Sequence, residues 1–176
     1  MAWTLYFDGA CEPRNPGGKA TYGWVLKERD TVRARGWGFA AEGPGSTNNV
    51  AEYAALTNGL KGTLAFWKAF EEPRQRFLEV CGDSKLVVNQ VSGAWSIKAP
   101  HLRPLVVACR SLLKNLVFDY EHWYRLKWIP REENQEADYL SKLAYQEACR
   151  GVLTLGKSYR AAVKKTEVTS ENQIPV

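Results

Sequence analysis

The sequence has few of the residues that support several common protein chemistries. Its 176 residues include two histidines and four cysteines, and no two of the cysteines form a C-x-x-C pair: Cys11, Cys81, Cys109 and Cys149. Zinc sites built from paired Cys and His, and C-x-x-C redox centres, are therefore not expected. We expect four reduced thiols, most of them buried.

Long apolar runs are also missing. No stretch approaches the roughly 18 uninterrupted apolar residues that a membrane-spanning helix needs. The first residues, Trp3-Thr4-Leu5-Tyr6-Phe7, alternate like a strand and do not follow the basic-then-apolar order of a secretory leader. These features predict a cytoplasmic protein that does not contact membranes, and no feature indicates an obligate protein partner, so we expect a monomer.

Apolar and aromatic residues are present in the amount that one core requires. Hydrophobic residues make up 45% of the chain, with seven Trp and eight Tyr. We expect one domain over residues 1–150, and a polar, loosely ordered tail over residues 151–176. The net charge of +5 is spread along the chain, so by itself it is a weak pointer to a polyanionic partner.

Hydrophobic periodicity predicts an α/β protein with the element order β-β-β-α-β-α-α-β-α. Alternating or apolar segments predict strands over 2–8, 20–27, 32–40, 77–81 and 118–128. A helical period predicts helices from the Ser46-Thr47-Asn48-Asn49 segment to before Pro73, and over 84–91, 102–116 and 132–149.

Four acids occupy positions where an acid is locally awkward. Asp8 and Asp83 each end an apolar strand, Glu52 lies on a helix flank of small residues, and Asp138 lies beside the buried stripe of the last helix. Each alone is compatible with a cap or a solvated side chain, but four on successive core elements indicate one site. Oxygen-only ligands suit Mg²⁺ or Mn²⁺, and a pair of such ions can hydrolyse a phosphodiester.

The segments that carry these acids resemble the four signature motifs of type 1 ribonuclease H. They are Tyr6-Phe7-Asp8-Gly9-Ala10 with Asn15-Pro16-Gly17-Gly18, Thr47-Asn48-Asn49-Val50-Ala51-Glu52, Gly82-Asp83-Ser84, and Glu133-Asn134-Gln135-Glu136-Ala137-Asp138. Order and spacing match over about residues 2–148. The chain is similar to compact, archaeal-like members that lack the basic protrusion.

The resemblance implies a ribonuclease H-like fold, with a five-stranded mixed sheet flanked by helices. It implies that Asp8, Glu52, Asp83 and Asp138 bind two Mg²⁺ ions, which Mn²⁺ can replace. The implied activity is endonucleolytic hydrolysis of the RNA strand of an RNA·DNA hybrid, leaving 5′-phosphate and 3′-hydroxyl ends.

The resemblance also implies a set of substrate contacts. Asn15, Asn48 and Asn49 match positions that contact the hybrid in its minor groove, while Thr47 and Ser84 match positions that contact its backbone. Short amides can bond the 2′-hydroxyl that distinguishes RNA from DNA, although helix capping is the alternative role for the Asn pair.

The sequence departs from the best-known bacterial pattern in two places. In that pattern, a longer loop before the fourth acid carries a His. Here the link from Trp128 to Asp138 is short and lacks a His. Arg131 is the candidate to replace that His, and the alternative is that Arg131 is a solvated surface residue. We expect His101 and His122 to be structural. The basic, Trp-rich handle is absent, so Trp95, helped by Lys98, either stacks on the DNA strand or lies in the core.

Two other functions stay open on the sequence alone. One is a hybrid-binding module without catalysis, and the other is a nuclease of the same superfamily with a different substrate, including double-stranded RNA with Mn²⁺. A 3′ to 5′ exonuclease is disfavoured, because such enzymes usually have a second acid two residues after the first Asp, where this chain has Ala10.

Overall fold

The structure, a computed structural model, describes residues 2–70 and 75–163. Its strands are β1 (Ala2–Glu12), β2 (Gly17–Glu28), β3 (Thr31–Gly43), β4 (Phe77–Gly82), β5 (Trp123–Trp128) and β6 (Ser158–Ala162). Its α-helices are α1 (Asn48–Ala69), α2 (Lys85–Ser92), α3 (Arg103–Phe118) and α4 (Gln135–Cys149), and short 3₁₀ turns span Pro100–Leu102 and Arg131–Glu133. None of the helices among these residues is long and apolar enough to cross a membrane.

The strands form one mixed sheet in the order β5-β4-β1-β2-β3-β6. Strand β4 runs parallel to β1 and β5, and the remaining neighbours are antiparallel. Phe7 pairs with Gly82, so Asp8 and Asp83 leave the β1–β4 pair at the same end. The predicted fold class, a ribonuclease H-like mixed sheet flanked by helices, is confirmed.

Helices cover both faces of the sheet. On one face, α1 packs across β1, β2 and β3, with α3 beside it, around a core that includes Trp3, Leu5 and Phe7. On the other face, α4 packs on β1, β2 and β3 through Leu140 and Ala144. The alternation along β1 explains this arrangement, because successive side chains point to opposite faces and so toward different helices.

Three expectations about the elements need correction. The sheet has six strands, because Ser158–Ala162 pairs antiparallel with β3 along the edge that five strands would have left open. The prediction of a loosely ordered tail is therefore wrong for these residues, and its remainder, 164–176, lies outside the described residues. The pairing of β6 uses backbone groups, and most of its side chains are exposed. The sequence therefore lacks the apolar alternation that would predict a strand here.

The third correction concerns the strand predicted over 118–128. It begins at Trp123, because Phe118 is the last residue of α3 and the backbone N–H of His122 bonds to the Leu116 carbonyl. Phe118 and Tyr120 are exposed, so their alternation with polar residues reflects a solvated connection. All four thiols are free as expected, and Cys149 is the exposed one.

Candidate active site

Three carboxylates meet where β1, β4 and α1 come together. Asp8 lies within β1, Asp83 directly follows β4, and Glu52 lies in the second turn of α1. One oxygen from each lies within 4.8 Å of the others. Asp8 and Glu52 are 6% and 8% exposed, so two of the three carboxylates are poorly solvated.

Gly9 brings α1 close enough for this meeting. A Cβ at Gly9 would lie 2.3 Å from the carbonyl carbon of Ala51 and 2.4 Å from the Glu52 nitrogen, both of which are backbone atoms. Only a residue without a side chain lets strand and helix approach this closely. The Asp-Gly pair of the first motif therefore supplies both a carboxylate and the space for its neighbour.

Helix α4 brings the fourth acid to the same region by a second close approach. Gly23, which pairs with Asp8 across β1 and β2, has no side chain, and a Cβ there would lie 2.5 Å from the Leu140 Cβ and 2.7 Å from the Ala137 carbonyl oxygen. Asp138 lies on the first turns of this helix. The three carboxylates within 4.8 Å do not include Asp138, which approaches the cluster from the side of Asp8.

Two polar residues that the sequence reasoning missed fix α4 to β1. The buried Asn134 side chain donates a 2.9 Å hydrogen bond from Nδ2 to the Phe7 carbonyl, one residue before Asp8. The buried Ser141 hydroxyl lies 2.8 Å from the Asp138 carbonyl and 3.4 Å from Oδ2 of Asp8. Asn134 belongs to the fourth motif, but the role of Ser141 has no sequence signal because it depends on packing between distant elements.

The electrostatics of the cluster disfavour three negative charges. Burial, together with the charges of Asp83 and Asp138, raises the pKa of Asp8 to about 8. Burial and the charges of Asp8 and Asp83 raise the pKa of Glu52 well above its ordinary value, and burial also raises the pKa of Asp83. Like charges in a poorly solvated space oppose ionisation, so a cation at this position would be strongly favoured.

Asp138 is in a different environment from the other three acids. Burial alone would raise its pKa, but the hydrogen bond and charge of Lys142, with the charge of Arg131, hold the pKa of Asp138 below its ordinary value. Lys142 Nζ lies 2.7 Å from Asp138 Oδ2, and an Arg131 guanidinium nitrogen lies 3.6 Å from Oδ1. Asp138 therefore remains ionised at neutral pH.

The donor set of the cluster fits a hard divalent cation. It offers only carboxylate oxygens, which Mg²⁺ and Mn²⁺ prefer. Among the described residues, Glu52 Oε2 is buried and accepts no hydrogen bond. A buried carboxylate oxygen without a donor is costly, and coordination to a cation would satisfy it.

Four of the residues expected to contact substrate, Thr47, Asn48, Asn49 and Ser84, lie at the N-termini of α1 and α2, and Asn15 lies in the connection between β1 and β2. Thr47 and Ser84 are the N-caps, and their hydroxyls accept bonds from the Val50 and Val87 backbone N–H groups. Asn48 Oδ1 accepts the Cys11 backbone N–H at 2.7 Å, and Asn15 Oδ1 accepts the Asn48 backbone N–H at 3.1 Å. Capping falls to Thr47, so Asn48 does not serve as the N-cap.

Trp95 lies on the surface and not in the core. It is 48% exposed and lines a groove of about 610 Å³, together with Asn49, Gln90 and Lys98. Neither histidine belongs to the acidic cluster. His122 is buried, its Nδ1 accepts the Arg76 backbone N–H at 3.1 Å, and its ring meets Trp67 edge-on, which is a structural role.

Comparison with known proteins identifies the family to which the chain belongs. The family model described as Reverse transcriptase-like matches residues 6–144. Ribonuclease HI of Halobacterium salinarum is 37% identical over 147 residues, which cover 81% of this chain and 64% of that protein. The chain thus spans less than two thirds of that relative's full length.

Solved structures show the same similarity. RNase H1 from Halobacterium salinarum has a TM-score of 0.69 at 34% identity, and the match covers 84% of this chain and 100% of the solved one. LC11-RNase H1, solved in complex with an RNA/DNA hybrid, has a TM-score of 0.70 at 27% identity, covering 84% of this chain and 99% of the other. The chain belongs to the type 1 ribonuclease H family.

Proposed function

We propose that this protein is an endonuclease that hydrolyses the RNA strand of RNA·DNA hybrids by two-metal-ion catalysis, leaving 5′-phosphate and 3′-hydroxyl ends. The observation that carries the proposal is the meeting of Asp8, Glu52 and Asp83 within 4.8 Å, in surroundings that raise the pKa of all three. Family membership and the hybrid seen with LC11-RNase H1 support the choice of substrate.

Asp8, Glu52, Asp83 and Asp138 would hold the metal, as two Mg²⁺ ions that Mn²⁺ can replace. When bound, such ions activate a water and stabilise the leaving oxygen of an in-line displacement. The Ser141 hydroxyl, which lies against Oδ2 of Asp8, would keep the Asp8 carboxylate in one orientation. Glu52 would offer its buried Oε2, which accepts no hydrogen bond from any described residue, as a ligand.

Substrate recognition would fall to the amide side chains of Asn48 and Asn49 at the start of α1 and of Asn15, which is hydrogen-bonded to Asn48. Because the oxygens of Asn15 and Asn48 already accept backbone N–H bonds, their amide nitrogens remain as donors. Such donors can bond a 2′-hydroxyl oxygen or a base edge in the minor groove, and Asn49 would extend the contact. The Thr47 and Ser84 hydroxyls keep a hydrogen to donate to backbone phosphates.

Arg131 and Trp95 would also contact the substrate. The Arg131 side chain is 75% exposed and approaches Asp138 through Nη2, so its other N–H donors can bind a phosphate. Trp95 would stack on the DNA strand along the groove that it shares with Asn49 and Lys98. We further propose that the protein is monomeric and acts in the cytoplasm.

A panel of four labelled duplexes in Mg²⁺ tests the proposal: RNA·DNA hybrid, double-stranded RNA, double-stranded DNA, and DNA with one ribonucleotide. We expect cutting within the RNA strand of the hybrid alone, with 5′-phosphate ends on the products. Hybrid binding without cutting in either Mg²⁺ or Mn²⁺ would favour the non-catalytic module. Comparable cutting of double-stranded RNA would establish the broader-substrate alternative.

A further inference from the structure

A second polar pocket lies on the face of the sheet that α1 covers, near the β6 edge. It has a volume of about 360 Å³ and is lined by Tyr22 and Trp24 of β2, Asn58 and Lys61 of α1, and Ser158 and Arg160 of β6. We call it the α1–β6 pocket. It exists because β6 joins the sheet, and the five-strand arrangement predicted from the sequence would not have formed it.

Glycines in β3 shape the floor of the pocket. A Cβ at Gly36 would lie 2.6 Å from the Trp24 indole ring, and one at Gly38 would lie 2.3 Å from the Tyr22 hydroxyl oxygen. The two rings therefore extend over bare β3 backbone toward β6. In the register of β3 and β6, Arg160 is opposite Gly36 and Ser158 is opposite Gly38, so the β6 side chains meet no bulky neighbour on β3.

The charge in the pocket has one sign. Lys61 and Arg160 both line it, and neither forms a salt bridge with any residue that the structure describes. The described lining residues include no carboxylate. Two cations around a space with an aromatic floor and no neutralising acid attract an anion, and an Arg beside a Lys suits a phosphate group.

The pocket is separate from the acidic cluster. Tyr22 and Trp24 flank Gly23 on β2, so their side chains point to the opposite face from the Gly23 position, which contacts α4. Asp8 pairs with Gly23 and lies against Ser141 of α4, on that other face. Glu52 is on α1 itself, but it lies nine residues before Lys61, which is about 13 Å along the helix. A molecule in the α1–β6 pocket would therefore not replace the substrate at the carboxylates.

We propose that the α1–β6 pocket binds a small phosphate monoester of mononucleotide size. Lys61 and Arg160 hold the phosphate, and the remaining length of the pocket takes the attached group. Asn58 donates from Nδ2 to the Ala54 carbonyl, so its Oδ1 is left to accept a hydrogen bond from that group, and the Ser158 hydroxyl lines the pocket beside Tyr22, to which it is hydrogen-bonded. A pocket of this volume is within the range of small-molecule sites.

Calorimetric titration of the full chain with AMP and with inorganic phosphate, in EDTA and at low salt, tests the proposal. We expect wild-type protein to bind AMP, with phosphate bound more weakly, and the Lys61→Gln/Arg160→Gln double variant to lose at least about tenfold in affinity. The matched control is Arg103→Gln/Lys114→Gln, which removes two cations from α3 and should leave affinity unchanged.

A second variant tests whether any loss of AMP binding comes from the charge in the pocket or from a loss of folding. Asn58→Asp adds a negative charge inside the pocket with almost no change of shape but cannot donate to the Ala54 carbonyl, and we expect it to weaken AMP binding while the variant still unfolds in one cooperative thermal transition. Equal affinity in wild type and both pocket variants would place the binding elsewhere and overturn the proposal. So would the absence of AMP binding at millimolar concentrations, or an equal loss of affinity in the α3 control.

Discussion

Replacing Asp8 by Asn should stabilise the protein in the absence of metal while it removes activity. Burial and neighbouring carboxylates raise the pKa of Asp8 from 3.8 to about 8. The folded state therefore keeps a proton that the unfolded chain loses above pH 4, and folding stability falls as pH rises from about 4 to about 8. Asn cannot ionise, so the variant avoids this loss.

The rise of the Asp8 pKa from 3.8 to about 8 sets the scale of the effect. At about 1.4 kcal/mol for each tenfold change in acidity, the upper limit is roughly 5 kcal/mol at pH 9, and relaxation around the cluster should reduce the gain to about 2–4 kcal/mol. Such a change is a large fraction of a domain's total stability. It also has a sign opposite to that of most substitutions of buried residues.

Urea unfolding in EDTA at pH 5 and pH 9 measures this effect. We expect Asp8→Asn to exceed wild type clearly at pH 9 and by much less at pH 5, while saturating Mg²⁺ reverses the order by stabilising only the wild type. Asp30→Asn, in the exposed turn between β2 and β3, is the control and should change little at either pH. An Asp8→Asn variant that is less stable than wild type at pH 9 in EDTA would refute the electrostatic reasoning.

Three further substitutions test the way the site is built. Gly9→Ala should destabilise the fold by at least about 3 kcal/mol in urea unfolding, because its Cβ would overlap backbone atoms of α1; unchanged stability would contradict the close approach. Asn134→Ala should cost about 1–3 kcal/mol by leaving the buried Phe7 carbonyl without its donor, and should lower hybrid cleavage, whereas unaltered unfolding would show that the bond contributes nothing. Trp95→Ala should raise KM for the hybrid about tenfold with little change in kcat, and a change confined to kcat would refute a stacking role.

The sequence predicts the inner strands and the acids on them because their signals are local. An apolar alternation over Trp3, Leu5 and Phe7 identifies β1, and an acid directly after an apolar run identifies the strand end where Asp83 lies. Parallel pairing then brings these two ends together, as the register of β1 and β4 shows. The small residues beside Glu52 indicate close packing on that side of α1, and the structure shows that Gly9 permits this packing.

The elements that the sequence did not predict depend on contacts between distant segments. Strand β6 joins the sheet through backbone bonds to β3, which need no particular side chains. In the sequence, nothing distinguishes Ser141 from other helical serines. Its hydroxyl lies near Asp8 only because α4 packs on β1. The connection that contains Tyr120 alternates apolar and polar residues like a strand, although the Tyr120 side chain is exposed. Alternation in the sequence does not show whether a segment pairs with a neighbouring strand.

If Asp8, Glu52 and Asp83 form the metal site of a hybrid-cutting nuclease, loss of one of these carboxylates removes cleavage. Single-turnover cleavage of a labelled RNA·DNA hybrid in Mg²⁺, comparing wild type with Asp83→Asn and with Asp30→Asn, tests it most directly. We expect wild type and the Asp30 variant to cut the RNA strand at similar rates, and Asp83→Asn to fall by at least about 10³-fold, equivalent to roughly 4 kcal/mol of transition-state stabilisation. Cleavage by Asp83→Asn at a rate near that of wild type would show that these carboxylates are not the metal site.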